Sequence, residues 1–221
     1  MTYVKICGLT DESSVRIAAE AGADWVGFVL APKSPRNVLG QGRDTFERVF
    51  DLMFAAADMD IRCAVLLTNP NEQMLDALTG NVMPDVFQLH GTETPEFVAK
   101  LRYRLPDSVE VWKALGVASE DDLERALDYE VADRLLIDAK PPEGSDRAGG
   151  HGQTFDWSIL EGWEPPRPWL LAGGLTPDNI EEAIAATGAA AVDVSSGVER
   201  APGIKDEELI RDFIAAAKMA D

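Results

Sequence analysis

The stretch PWLLAGGLTPDNIEEAIAATGAAAVDVSSGVE, residues 168–199, holds a complete strand–helix–strand pattern. An apolar run at 168–172 (PWLLA) stops at Gly173-Gly174. Thr176-Pro177 then reads as a helix start, because a hydroxyl can cap the first turn and proline's missing N–H is no loss there. A second apolar run, AVDV at 191–194, stops at Ser195-Ser196-Gly197. Short apolar runs joined by a crossover helix are the mark of parallel strands buried on both faces.

The same alternation extends back to the start of the chain. Further strands are expected at 3–7, 25–30, 63–67, 85–89, 109–114 and 134–138, which makes eight. Helix starts are read at Thr10 before Asp11 and Glu12, at Asn69-Pro70, at Thr94-Pro95, and at Ser119 before Glu120, Asp121 and Asp122. Gly22 and Gly80 fit helix ends, where a positive φ is wanted. The last helix, about 206–218, carries Leu209, Ile210, Phe213, Ile214 and Ala217 on one stripe. Between the sixth and seventh strands only DWSIL and EGWEPPRP stand, which is poor helix material. Eight βα units in 221 residues predict an α/β protein, a single (β/α)8 TIM barrel forming one domain over residues 1–221. A doubly wound open sheet is the alternative.

Composition narrows the class. Acidic residues number 39 against 20 basic ones, of which seven are Lys, for a formal charge of −19. The surplus is spread along the chain rather than gathered in a tail. Such a surface repels nucleic acid and anionic membranes, so neither is expected as a partner. Self-repulsion that salt would relieve predicts adaptation to a high-salt cytoplasm. No apolar run is long enough to span a membrane and no leader opens the chain. Two cysteines, Cys7 and Cys63, make neither a disulfide framework nor a zinc site, and fit a reduced, cytoplasmic protein. Nothing in the sequence chooses between a monomer and a homodimer.

In a (β/α)8 barrel the reactive face is the C-terminal end of the strands. Those ends carry Cys7, the loop APKSPRNV with Lys33 and Arg36, Gln88 and His90 in QLHG, Asp138, Gly173-Gly174, and Asp193 with Ser195-Ser196-Gly197. The two late glycine turns, Gly173-Gly174 and Ser195-Ser196-Gly197, suit a phosphate, since bare backbone N–H groups can approach an anion there. Cys7 and Asp138 end well-separated strands, as a base and an acid acting on two ends of a small substrate would. A buried filler thiol fits Cys7 equally well on position alone, and filler is the better reading of Cys63, early in its strand. Arg36 can grip a carboxylate through two parallel N–H bonds. His90 is either a barrel histidine with its own partners or a ligand contact. His151, in a glycine-rich loop, reads as a lid or solvent residue, and no histidine spacing suits a metal.

The ordered motifs VKICGLT, GFVLAPKSPRNV, FQLHG, LLIDA…GGHGQTFDW, LAGGLTPDNI and VDVSSGVERAPGIKD resemble phosphoribosylanthranilate isomerases of tryptophan biosynthesis, from residue 4 to about 206. The resemblance implies a barrel needing no metal or cofactor and a small phosphosugar–anthranilate substrate. It implies Cys7 as general base, Asp138 as general acid and Arg36 on the anthranilate carboxylate. It implies Gly173, Gly174, Ser195, Ser196 and Gly197 around the phosphate, with Gln88, His90 and Asp193 lining the pocket. The chain departs from the family pattern at His151 and Gln153, where Thr and Lys are usual. A histidine-pathway isomerase doing the same rearrangement would carry an aspartate where Cys7 stands. A barrel that only binds a phosphate ligand would have no need of both Cys7 and Asp138.

Overall fold

The computed structural model describes residues 1–40, 45–80, 82–140 and 156–220. Eight parallel strands close into a barrel in sequence order: β1 (Tyr3–Cys7), β2 (Trp25–Leu30), β3 (Arg62–Leu67), β4 (Val86–Leu89), β5 (Glu110–Val117), β6 (Arg134–Ala139), β7 (Trp169–Leu171) and β8 (Ala191–Val194). Closure is made by β8 pairing with β1, Asp193 opposite Lys5. The open-sheet alternative is thereby set aside. The helices are α1 (Glu12–Ala21), α2 (Glu47–Asp58), α3 (Glu72–Gly80), α4 (Pro95–Arg104), α5 (Glu120–Glu124), α6 (Ile180–Thr187) and α7 (Glu207–Met219). A two-stranded antiparallel hairpin, β9 (Glu199–Ala201) with β10 (Ile204–Lys205), follows β8 and was not legible in the sequence.

Side chains alternate across each strand. One set, including Val4, Ile6, Phe28, Val65, Phe87, Ile137 and Val192, is wholly buried against the helices. The other set fills the barrel. Its floor is Trp25 and Trp112 packed edge to face with ring centroids 5.3 Å apart, among Ala64, Val86, Leu136 and Leu170. The guanidinium of Arg134 lies 5.5 Å and 5.8 Å from the two rings. Above this apolar plug the interior turns polar, with Lys5, Cys7, Gln88, Asp138 and Asp193 all buried. A dry floor beneath a polar upper layer puts the chemistry at the C-terminal rim.

Several element ends differ from the sequence reading. The first helix is capped by Asp11, not Thr10: its carboxylate accepts from Ser14 N–H at 2.8 Å, one residue nearer the helix. Asn69-Pro70 is not a helix start; Asn69 has φ +47° and Asn71 accepts from Met74 N–H. Thr176-Pro177 opens a turn, and α6 begins only at Ile180. Thr94-Pro95 is a cap with proline in the first turn, as read. Ser119 stands at the N-cap position of α5 but makes no side-chain cap bond. Gly22 ends α1 at φ +94°, whereas Gly80 is the last residue of α3 and is not among the positive-φ glycines. β5 runs on to Val117 because β6 pairs with it to Ala139. DWSIL forms only a 3₁₀ turn, Trp157–Leu160.

Candidate active site

Cys7 ends β1 with its side chain inside the barrel, 3% exposed. Two residues earlier on the same face lies Lys5, wholly buried, its Nζ 2.7 Å from Asp193 Oδ1 on the neighbouring β8 and beside the Cys7 sulfur. The absence of a side chain at Gly27 makes room for this pair: a Cβ there would stand 2.9 Å from Cys7 Sγ and 3.0 Å from Lys5 Nζ. Burial pushes the Cys7 thiol up and the Asp193 carboxylate adds to the rise, while Lys5 and Lys205 pull it back. For Lys5, burial acts to lower the ammonium, but Asp193 and Cys7 outweigh it and hold it above its ordinary range. The three groups form one coupled unit. Cys63, by contrast, lies low in β3, and burial pushes its thiol up to about 12, which fits filler.

Asp138 ends β6, buried, with its Oδ2 3.2 Å from His90 Nε2 at the end of β4. The other ring nitrogen of His90 faces the Gln88 side-chain amide at 3.4 Å. Gly173, at φ +87°, lets the β7 loop close on this acid: a Cβ there would stand 2.4 Å from Ala139 N and 2.9 Å from Asp138 Oδ1. At Gly197 a Cβ would come within 1.8 Å of Leu175 O. The glycine turns after β7 and β8 are therefore packed directly on each other. Gly8, at φ +75°, sits where the β8 turn meets the β2 loop. A Cβ there would meet Arg36 Cδ at 2.5 Å and Ser195 Oγ at 2.9 Å.

Arg36 comes to this rim, but its fork already has a partner. Nε and Nη2 donate to the two carboxylate oxygens of Glu199, at 2.6 and 2.8 Å. Lys205 completes the group, with Nζ 2.9 Å from Glu199 Oε1 and 2.8 Å from Ser195 O. Burial would raise the Glu199 carboxyl, but Arg36 and Lys205 hold it below the usual carboxylate range. Burial likewise lowers Lys205, only partly countered by Glu199. The bidentate grip expected of Arg36 is thus made with Glu199, and three guanidinium N–H groups remain that Glu199 does not use.

Of the strand-end residues singled out in the sequence, contacts join Gln88, His90, Asp138 and Gly173 on one side, and Cys7 with Asp193 (through Lys5) and Arg36 with Ser195 (around Gly8) on the other. Lys5, Glu199 and Lys205 were missed. Lys5 did carry a signal, a lone lysine in an apolar strand on the same face as Cys7. Lys33 is an exposed residue of the β2 loop. His151 and Gln153 lie outside the described residues.

Comparison with known proteins agrees with this geometry. The family model described as N-(5'phosphoribosyl)anthranilate (PRA) isomerase matches residues 4–216. An N-(5'-phosphoribosyl)anthranilate isomerase from Hyphomonas neptunium is 49% identical over 221 residues, covering 100% of this chain and 99% of its own. The phosphoribosyl anthranilate isomerase structure from Thermotoga maritima superposes with TM-score 0.85 at 38% identity, covering 99% of this chain and 100% of its own. A phosphoribosyl anthranilate isomerase in complex with reduced 1-(o-carboxyphenylamino)-1-deoxyribulose 5-phosphate superposes with TM-score 0.82 at 35% identity and the same coverage. The high-salt adaptation expected from the charge is not borne out by these relatives. No described helix is long and apolar enough to cross a membrane.

Proposed function

Because the chain belongs to the N-(5'-phosphoribosyl)anthranilate isomerase family, isomerases of tryptophan biosynthesis built on the TIM barrel, we propose that its Asp138 and Cys7 carry the rearrangement as acid and base. The reaction turns N-(5-phosphoribosyl)anthranilate into 1-(2-carboxyphenylamino)-1-deoxyribulose 5-phosphate. The substrate phosphate sits in the cradle of Gly173, Gly174, Ser195, Ser196 and Gly197. The anthranilate carboxylate takes guanidinium N–H groups of Arg36 that Glu199 leaves unused. Gln88, His90 and Asp193 line the space between.

Asp138, protonated, gives its proton to the furanose ring oxygen. The bond from that oxygen to C1′ breaks, and the nitrogen lone pair closes a cationic Schiff base. Cys7 as thiolate then removes the proton on C2′, and the released electron pair neutralises the nitrogen, giving an enolamine that tautomerises to the ketone. Burial opposes the thiolate. Two positive charges work the other way: the buried Lys5 ammonium and the Schiff base itself, which forms just before the thiolate is needed. The whole chain acts as one catalytic domain in the cytoplasm, as a monomer or a homodimer.

The observation that carries this reading is the set of close approaches at Gly8, Gly173 and Gly197, which joins acid, base side and anion cradle in one rim. A fluorescence assay for loss of the anthranilate substrate tests it. Cys7→Ser and Asp138→Asn should each lower kcat by ~10²–10⁴-fold, the usual worth of a positioned acid or base, with substrate binding retained. Near-normal turnover in either variant removes that residue from the mechanism.

A further inference from the structure

The acid role proposed for Asp138 needs a proton at its carboxyl, and the residues behind that carboxyl bear on where a proton can lie. His90 stands between two partners, Asp138 Oδ2 at 3.2 Å from Nε2 and the Gln88 amide at 3.4 Å from Nδ1. Gln88 is wholly buried, and its Oε1 has no hydrogen-bond partner among the described residues while its Nε2 faces the ring. The two ends of an amide have almost the same shape, so its orientation follows from the hydrogen bonds available. As placed, Nε2 can only donate to a bare Nδ1. Neutral His90 must then carry its proton on Nε2 and donate it to an ionised Asp138, which leaves the acid without a proton to give. A half-turn of the amide brings Oε1 to Nδ1, where it accepts from Nδ1–H. Oε1 is then satisfied, and the Gln88 NH₂ group takes its place as the buried unpartnered end, a pair of donors that an oxygen acceptor of the substrate would suit.

We propose that Gln88 Oε1 fixes a proton on His90 Nδ1, so that the remaining proton lies between His90 Nε2 and Asp138 Oδ2, and that this shared proton is the one delivered to the ring oxygen. The inference rests on the acid role of Asp138. It makes Gln88 and His90 positioning residues rather than mere pocket lining. The balance is simple: Asp138 loses the shared proton to the substrate, and His90 keeps its Nδ1–H throughout. Packing supports a fixed ring, because the loop behind His90 is tied by Lys113 Nζ to Gly91 O and Glu93 Oε2, each at 2.8 Å.

The chain has two histidines, so the test is direct. In ¹⁵N-histidine-labelled protein, with His151→Asn used to assign the second set of signals, His90 Nδ1 should show the shift of a protonated nitrogen at neutral pH. Gln88→Leu should abolish that state and lower kcat about tenfold, the worth of one buried hydrogen bond, with KM within about twofold. Gln88→Glu, which again offers an oxygen to Nδ1–H, should restore the protonated signal. A wild-type His90 with bare Nδ1 and Nε2–H overturns the proposal, even if the Leu variant fails to fold. Full activity in Asp138→Asn is a separate result that overturns the acid role itself.

Discussion

At the scale of single residues, the site turns on side chains whose role is set by what they touch inside the barrel. Cys7 and Asp138 were legible because a strand end in a parallel barrel has a known address. Lys5 was not, since a strand pattern alone does not say that Asp193, 188 positions away, waits opposite it. Arg36 was legible as a cation at the rim, but not its engagement by Glu199, 163 positions away. The Lys5 arrangement makes a prediction about pH. Lys5 favours the Cys7 thiolate, and burial opposes it. In the base role proposed for Cys7 the thiolate is the working form, so activity is expected to rise with pH as it forms. Lys5→Met removes the opposing pull of a neighbouring positive charge. The acid limb of kcat/KM should therefore move to higher pH, while Lys5→Arg moves it far less. A limb that stays put in Lys5→Met would show that Lys5 serves only to neutralise Asp193.

At the scale of elements, strands were read more surely than helix ends, for a physical reason. A fully buried strand announces itself by an unbroken apolar run. A cap depends on which of several adjacent Asp, Asn, Ser or Thr side chains finds the right backbone angles. Asp11 won over Thr10, and Asn71 over Asn69, each nearer its helix by one or two residues. The β9–β10 hairpin was illegible because its two strands span only five residues in all. Its role is to carry Glu199 and Lys205 under the β2 loop, and Gly203, at φ +79°, permits the contact: a Cβ there would stand 2.5 Å from Pro35 O. Glu199→Gln should loosen that clasp. Two buried cations, Arg36 and Lys205, then lose their shared counter-charge, and removing one partner of a buried ion group costs about 3–5 kcal/mol. The expected result is a lower Tm and, on the carboxylate-binding role proposed for Arg36, a KM raised about tenfold by the weakening of one charge-assisted hydrogen bond, with kcat changed only a few-fold. A variant that loses stability but keeps its KM would separate the hairpin from carboxylate recognition.

At the scale of the whole molecule, the alternation of eight strands with helical segments points to the class but not to the closure. An open doubly wound sheet shows the same alternation, and what distinguishes the barrel is the pairing of β1 with β8, a contact between the two ends of the chain. Net charge is the other property that belongs to the molecule rather than to any element. The −19 total is carried largely by exposed helix faces, such as Glu120, Asp121 and Glu124 on α5 and Glu181 and Glu182 on α6. Glu93, Asp193 and Glu199 have buried cations of their own, Lys113, Lys5, and Arg36 with Lys205, while Asp138 faces His90. The unbalanced repulsion therefore lies at the surface, where salt reaches it. The Debye length falls from about 30 Å at 0.01 M to about 10 Å at 0.1 M and about 3 Å at 1 M. Most of the repulsion between acids on neighbouring helices should thus be relieved within the first few tenths molar of KCl. Each kcal/mol relieved raises Tm by about 2–4 °C in a chain of this size. Thermal melts in KCl should show a steep early rise that then flattens, unlike the steady climb produced by a solute excluded from the surface. A Tm independent of KCl below about 0.3 M would mean that the acidic faces do not strain the fold, whatever the total charge.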